Sequence, residues 1–303
     1  MLTSDDLSRR RFLYASGSFV LGATLTKNIV SASSENSLPF SPLKKAIQWS
    51  NLPKNKSEME RCEIAKRCGF DGIELPPIED AVEIEKILDA VKKNGLTIHS
   101  IIYGGWDKPL SHPDPSIAEE GKKRIIKNLK LAKQVGADTL LLVPAVVNER
   151  VRYKEAWERS TKHIKELIQS AEENNVVIAV ENVWNKFLLS PLEFCEYIDQ
   201  FNSPYVRAYF DIGNVVIFGY PEDWIRTLSN RIVKIHVKDF KRNGYQWSSL
   251  PYEGDVNWSE VRKALHEVNY KGWITEEFPG GDENYLKELS HRMDLFIQGK
   301  EKV

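Results

Sequence analysis

The chain has 303 residues, 42% of them hydrophobic, enough apolar material for one large α/β barrel or two ordinary domains. Its 42 Lys and Arg against 43 Asp and Glu leave a net charge of −1, which excludes binding of nucleic acid by an excess of cations. Three cysteines, Cys62, Cys68 and Cys195, give no disulfide framework and read as free thiols.

The chain opens with Ser8-Arg9-Arg10-Arg11-Phe12-Leu13, the S-R-R-x-F-L pattern of a twin-arginine export signal. A mildly apolar run over residues 14–25 follows, too short for a comfortable membrane span. Val30-Ser31-Ala32 then offers a small-residue cleavage site. Residues 1–32 are therefore expected to be an export signal, residues 33–42 a polar linker and residues 43–303 the catalytic domain. The twin-arginine route carries folded proteins, often with a cofactor in place, so the expected location is the periplasm, with no stable membrane span once the signal is removed.

From residue 43 onward, strand and helix signals alternate. Residues 46–49 read as the first strand and 57–68 as a helix. A second strand over 71–75 precedes a helix over 81–94. The third strand, 96–102, runs into a Gly- and Pro-rich loop at 103–115 and a long helix to Val135. The fourth, 138–143, precedes a helix over Tyr153–Asn174. The fifth, 176–181, and sixth, 205–211, are followed by a helix at 191–200 and a short one after Pro221. The seventh, 232–238, leads into a long loop to about Asn257 and a helix over 258–268. The eighth, 272–277, is closed by a helix over 283–296. Gly95 and Gly136 stand where left-handed caps end helices, and Pro191 and Pro221 where helices begin. Eight strictly alternating units predict a parallel sheet closed into a single (β/α)8 TIM barrel. A doubly wound open sheet is the alternative, but no G-x-G-x-x-G follows the first strand.

Functional residues of such a barrel sit at the C-terminal ends of its strands. Those ends carry Trp49, Glu74, His99 leading to Gly104-Gly105-Trp106, Glu181-Asn182-Val183-Trp184, Asp211-Ile212-Gly213-Asn214, His236-Val237-Lys238-Asp239 and Glu276-Glu277. Parity sorts them into faces. Val176, Ile178 and Val180 oppose Glu181; Val206, Ala208 and Phe210 oppose Arg207, Tyr209 and Asp211; Val233, Ile235 and Val237 oppose Lys234, His236 and Lys238. With Ile274 against the helices, Glu277 rather than Glu276 faces inward. The inward set of Glu181, Asp211, His236 and Glu277 suits one hard or borderline divalent cation. Without a cation, the crowded carboxylates would need Lys238, Lys234 and Arg207 as a buried ion-pair network.

These features resemble the xylose isomerase-like TIM barrels, in particular the sugar phosphate isomerase/epimerase family that includes D-tagatose 3-epimerase. The likeness covers roughly residues 43–297. It rests on Glu181-Asn182-Val183-Trp184-Asn185, Asp211-Ile212-Gly213-Asn214, Ile235-His236-Val237-Lys238-Asp239-Phe240, Gly254-Asp255-Val256-Asn257-Trp258 and Gly272-Trp273-Ile274-Thr275-Glu276-Glu277. It implies one divalent metal on Glu181, Asp211, His236 and Glu277, with Mn2+ first and Co2+, Mg2+ or Zn2+ as alternatives. It also implies that Glu181 and Glu277 form the acid/base pair of an isomerase or epimerase of a keto-sugar. That reaction abstracts a proton next to a carbonyl and passes through a metal-stabilised enediolate. Arg242, six residues beyond His236, occupies the place of a substrate-contacting arginine.

Around that centre, Trp49, Trp106 and Trp184 are expected to offer aromatic faces to a sugar. Lys238 is read as a substrate contact or a balance for the carboxylates. His99, Asn214 and Glu74 complete the expected substrate-binding set, with Glu74 or Asp239 also able to orient His236. His163, His266 and His291 fall on predicted helices and read as structural or surface groups. The chain departs from the family at Asn214, often His, and at Phe187, where tagatose-epimerase-like members carry Glu. The substrate is therefore not carried over.

The alternative activity is a metal-dependent lyase or dehydratase acting on an oxidised (3-keto) sugar or glycoside, a reading the export signal favours. A nuclease on the same barrel would need three zinc ions and more histidines, and a sugar-binding protein would use the site without turnover. The expected partner is a small carbohydrate and no nucleic acid. The sequence leaves homo-oligomerisation open.

Overall fold

The structure, a computed structural model, describes residues 43–300. The export signal expected at residues 1–32 and the linker at residues 33–42 lie outside the described residues. The barrel strands are β1 (Lys44–Gln48), β2 (Gly72–Leu75), β3 (Thr97–Gly104), β4 (Thr139–Leu142), β5 (Val177–Glu181), β6 (Val206–Asp211), β7 (Ile232–Val237) and β10 (Trp273–Glu276). All pair in parallel in the closed order β1-β10-β7-β6-β5-β4-β3-β2. The helices are α1 (Glu58–Arg67), α2 (Ala81–Lys93), α3 (Pro115–Val135), α4 (Tyr153–Asn174), α5 (Pro191–Asp199), α6 (Pro221–Leu228), α7 (Trp258–Glu267) and α8 (Glu283–Gln298). The predicted (β/α)8 barrel is thus the observed fold.

Local chemistry sets the helix ends. Ser57 and Glu60 close a reciprocal capping box at the start of α1. Asp114 and Ser190 cap α3 and α5, each with Pro at the first turn. Gly136 ends α3 at φ 79°, in the left-handed region.

Two layers of packing fill the molecule. The outer layer lies between strands and helices and takes Val176, Ile178, Val180, Val206, Ala208, Phe210, Ile235, Val237 and Ile274. A small inner cluster of Leu141, Ala179 and Tyr209 plugs the barrel. Parity along β5, β6 and β10 is as expected. Val233 is a correction, because it packs against the inner cluster. The register between β6 and β7 shifts, so Ala208 faces Ile232 while Tyr209 faces Lys234, and Val233 is the extra residue.

The stretch after β7 is a second correction. It holds a two-stranded hairpin, β8 (Phe240–Lys241) and β9 (Gln246–Trp247), paired antiparallel around Arg242-Asn243-Gly244-Tyr245. Asn-Gly between the strands is the sequence signal for it. Among the described residues no helix is long and apolar enough to cross a membrane.

Candidate metal centre

The end of each strand delivers one side chain to the barrel mouth. Glu181 closes β5, Asp211 closes β6 and His236 sits one residue before the end of β7. Glu277 follows β10, its N–H still donating to the Val237 carbonyl at 2.9 Å. One donor atom from each of the four residues lies within 4.8 Å of every other. Glu276, its neighbour, turns the other way. It accepts hydrogen bonds from the Gln48 N–H at 3.1 Å, the Phe278 N–H at 3.0 Å and the Asn51 amide.

Hydrogen bonds fix Asp211 and His236. The Asn182 side chain brackets the Asp211 backbone with two bonds of 2.9 Å, and the Asn214 N–H donates to Asp211 Oδ1 at 2.7 Å. His236 is held at both nitrogens. Its Nδ1 lies 2.8 Å from Glu181 Oε1 and 3.3 Å from Glu277 Oε2, and its Nε2 lies 2.9 Å from Glu74 Oε2. The Tyr209 hydroxyl donates to Glu74 Oε1 at 2.8 Å. Glu74 thus locks the imidazole with Nδ1 aimed at the three carboxylates, the usual role of a carboxylate behind a metal-binding histidine.

The electrostatics reflect crowding. Burial opposes a charge on His236, but Tyr209 and the flanking carboxylates of Glu74, Glu181 and Glu277 outweigh burial and hold its pKa well above the ordinary imidazole value. Burial pushes Asp211 up to about 8, with Glu277 and Glu181 adding to the rise and Lys238 opposing it. Burial also raises Glu181. Glu277 goes the other way: burial works against its charge, but His236 and Lys238 prevail and hold it below the carboxylate range.

The residues fit a divalent cation. Asp211 Oδ2 and Glu277 Oε2 are buried and accept no well-aligned hydrogen bond, although Lys238 Nζ approaches them to 3.5 and 2.9 Å. Buried acceptors without partners are rare, and three carboxylates around one imidazole nitrogen invite a cation there. A cavity of about 350 Å³ opens over the cluster. Glu181, Glu277 and Lys238 form part of its floor, and Tyr103, Trp106, Trp184 and Trp247 its walls. Larger hollows elsewhere on the barrel carry none of the four donors.

The model of the xylose isomerase-like TIM barrel family matches residues 62–295. This chain belongs to that family. Its relatives include a putative L-ribulose-5-phosphate 3-epimerase from Escherichia coli strain K12, 26% identical over 73% of this chain and 83% of that one. An L-ribulose-5-phosphate 3-epimerase from Escherichia coli O1:K1 is 24% identical over 80% and 90%. A D-psicose 3-epimerase from Clostridium cellulolyticum H10, solved with D-tagatose, matches in fold at a TM-score of 0.72 and 20% identity, over 86% of this chain and 100% of that one.

Within this family member, the other residues singled out in the sequence divide by depth. Trp106, Trp184, Asn214 and Lys238 line the cavity. Asn214 Nδ2 donates to the Asn182 carbonyl at 2.9 Å, and its own carbonyl accepts the Trp184 indole N–H at 2.9 Å. Glu74 lies behind His236 rather than in the cavity lining. His99 lies in the barrel interior, 3.0 Å from Thr275 Oγ1 and stacked on Trp273. Trp49 is buried beneath the Arg61 guanidinium. Arg242 pins the loop after β6, donating to the carbonyls of Val216 and Gly219 at 2.7 and 3.1 Å. Phe187 packs among Tyr153, Trp157 and Tyr197, which explains an apolar residue there. Asp239 does not touch His236. It accepts the backbone N–H groups of Phe240, Gly254 and Val256. A Cβ on Gly254 would come within 2.1 Å of Asp239 Oδ1, so only glycine fits that turn.

Sequence reasoning passed over Tyr209, Thr275 and Trp247. Tyr209 and Thr275 have inward parity on β6 and β10, which was the available signal. Trp247 becomes a wall only once the hairpin is recognised.

Proposed function

We propose that this protein is a divalent-metal-dependent epimerase or isomerase of an unphosphorylated keto-sugar. The observation that carries the proposal is the convergence of Glu181, Asp211, His236 and Glu277 beneath an aromatic-walled cavity. The names of its relatives support the class of reaction. Charge supports the lack of a phosphate: Lys238 is the cation among the cavity-lining residues, and it already faces Glu277 and Asp211.

When bound, a divalent cation supplies Lewis-acid polarisation of the substrate's carbonyl and hydroxyl oxygens, with Mn2+ the first candidate. The chain's own residues do the rest. In the barrel order, β5 and β10 flank β6 and β7, so Glu181 and Glu277 stand at the two ends of the donor arc. An open-chain keto-sugar laid over His236 and Asp211 then has one carboxylate on each face of the carbon beside its carbonyl. One takes the proton from that carbon, and the other returns a proton to the opposite face. Trp106 and Trp184 cover the sugar and exclude water. Glu74 and Tyr209 hold the imidazole in register.

The test is incubation with Mn2+ and D-fructose, D-psicose or D-tagatose in D2O. Deuterium should appear at the carbon beside the carbonyl together with the epimeric ketose. Glu181→Gln and Glu277→Gln should each cut the rate by about 10² or more. An α,β-unsaturated product without epimer would point to the lyase reading instead, and no exchange into any ketose by metal-loaded protein would refute the proposal. We further propose export through the twin-arginine route, supported by Ser8-Arg9-Arg10-Arg11-Phe12-Leu13. Replacing Arg9 and Arg10 with Lys should leave the protein in the cytoplasm on cell fractionation.

A further inference from the structure

The aromatic wall extends past what one ring over the metal cluster needs. Trp106, Trp184, Trp247 and Tyr245 are 51%, 38%, 41% and 62% exposed. Three of them form one continuous surface: Trp184 lies 4.8 Å from Trp247 at 30° and 5.6 Å from Tyr245 at 39°. Phe240, buried beneath, braces Trp184, Tyr245 and Trp247 edge-on. Trp184 is fixed by its bond to the Asn214 carbonyl. Lys238 Nζ sits 4.6 Å over the Trp247 ring, so the same side chain ties this surface to Glu277.

A soluble protein seldom displays such a run of large aromatic faces without using it. Tyr245 adds a second sign. It holds φ at 51°, a conformation a bulky residue rarely takes, at the hairpin tip where its ring is displayed. The surface is continuous with the cavity, because Trp184 and Trp247 belong to both. It bears hydrogen-bonding edges and apolar faces, the combination that suits the C–H faces and hydroxyls of a pyranose.

We propose that Trp184, Tyr245 and Trp247 form an outer carbohydrate subsite that takes the second, non-reacting ring of a glycosylated keto-sugar. This rests on the reading of the inner cavity as a sugar site and extends it to substrate class: a disaccharide or glycoside rather than a free or phosphorylated monosaccharide.

The probes are D-fructose and its glucosides turanose, maltulose and isomaltulose, each titrated calorimetrically into Mn2+-loaded full-length protein. At least one glucoside should bind about tenfold or more tighter than D-fructose, tenfold being about 1.4 kcal/mol. Tyr245→Ala, outside the inner cavity lining, should bring the ratio towards one while D-fructose affinity changes by less than about twofold. Tyr245→Ser serves if Tyr245→Ala fails to fold. Equal affinity for D-fructose and all three glucosides would overturn this inference and leave the inner sugar site standing. Binding of neither class by metal-loaded protein would overturn both. A loss of self-association in the variants, with no change in the ratio, would assign the surface to a second copy of the chain and overturn the subsite.

Discussion

Two adjacent glutamates show how much a single position decides. Glu276 lies under the first βα loop with its oxygens taken by Gln48, Asn51 and Phe278, whereas Glu277 keeps Oε2 free of aligned donors. Glu276→Ala strands several buried donors, each costing about 1–3 kcal/mol, so urea unfolding should show a loss of that order or more. Glu277→Gln should instead unfold near the parent midpoint while losing Mn2+ affinity. Equal stability losses in the two variants would contradict this division. Glu74 is a positioning residue. Glu74→Gln weakens its hold on His236 and should lower Mn2+ affinity by about 10- to 100-fold in a calorimetric titration, without touching substrate. An unchanged affinity would show that the Glu74 contact does not tune the metal.

The loop after β7 was the least legible element. Its hairpin is only two residues per strand, too short to leave a periodic pattern, and Asn243-Gly244 is its one local mark. Asp239 gathers the loop by accepting from Phe240, Gly254 and Val256, and Asp255 adds bonds to Phe240 and Arg242. Gly254→Ala forces a Cβ against the Asp239 carboxylate and should cost about 1–3 kcal/mol, with the loss visible as increased proteolysis between β7 and α7. A silent Gly254→Ala would mean the turn relaxes freely. The barrel strands were easier to read. In β5, β6, β7 and β10 an apolar face toward the helices alternates with a face carrying the site residues, so period and parity together marked both the element and its orientation. Val233 escaped because a bulge inserts one residue, and no pattern within β7 alone records its partner's register.

At the scale of the whole molecule, a ligand that binds only the closed barrel stabilises all of it. The four donors come from strands spread over residues 177–277, so the cluster exists only when the fold does. Mn2+ at about 100 times its dissociation constant should add about 2.7 kcal/mol. For a chain of this size that raises Tm by about 4–5 °C, since the unfolding entropy grows with length and each kcal/mol shifts a chain beyond 250 residues by slightly under about 2 °C. The rise should vanish with chelator and in a Glu181→Gln/Asp211→Asn double variant. A Tm indifferent to Mn2+, Co2+, Mg2+ and Zn2+ alike would argue against a metal centre.

Alternation of eight strand and helix signals, and the parity of residues within each strand, determined the barrel and the four inward donors from sequence alone. Both are local properties, written in the order of neighbouring side chains. Tertiary structure alone decided what stands behind and above those donors. Glu74 meets His236 across 162 residues, Arg242 turns to a loop instead of the cavity, and Trp247 reaches Trp184 across the mouth. Those pairings depend on how β2, β7 and the hairpin sit in three dimensions, and the closure of the ring, not the spacing along the chain, sets that distance.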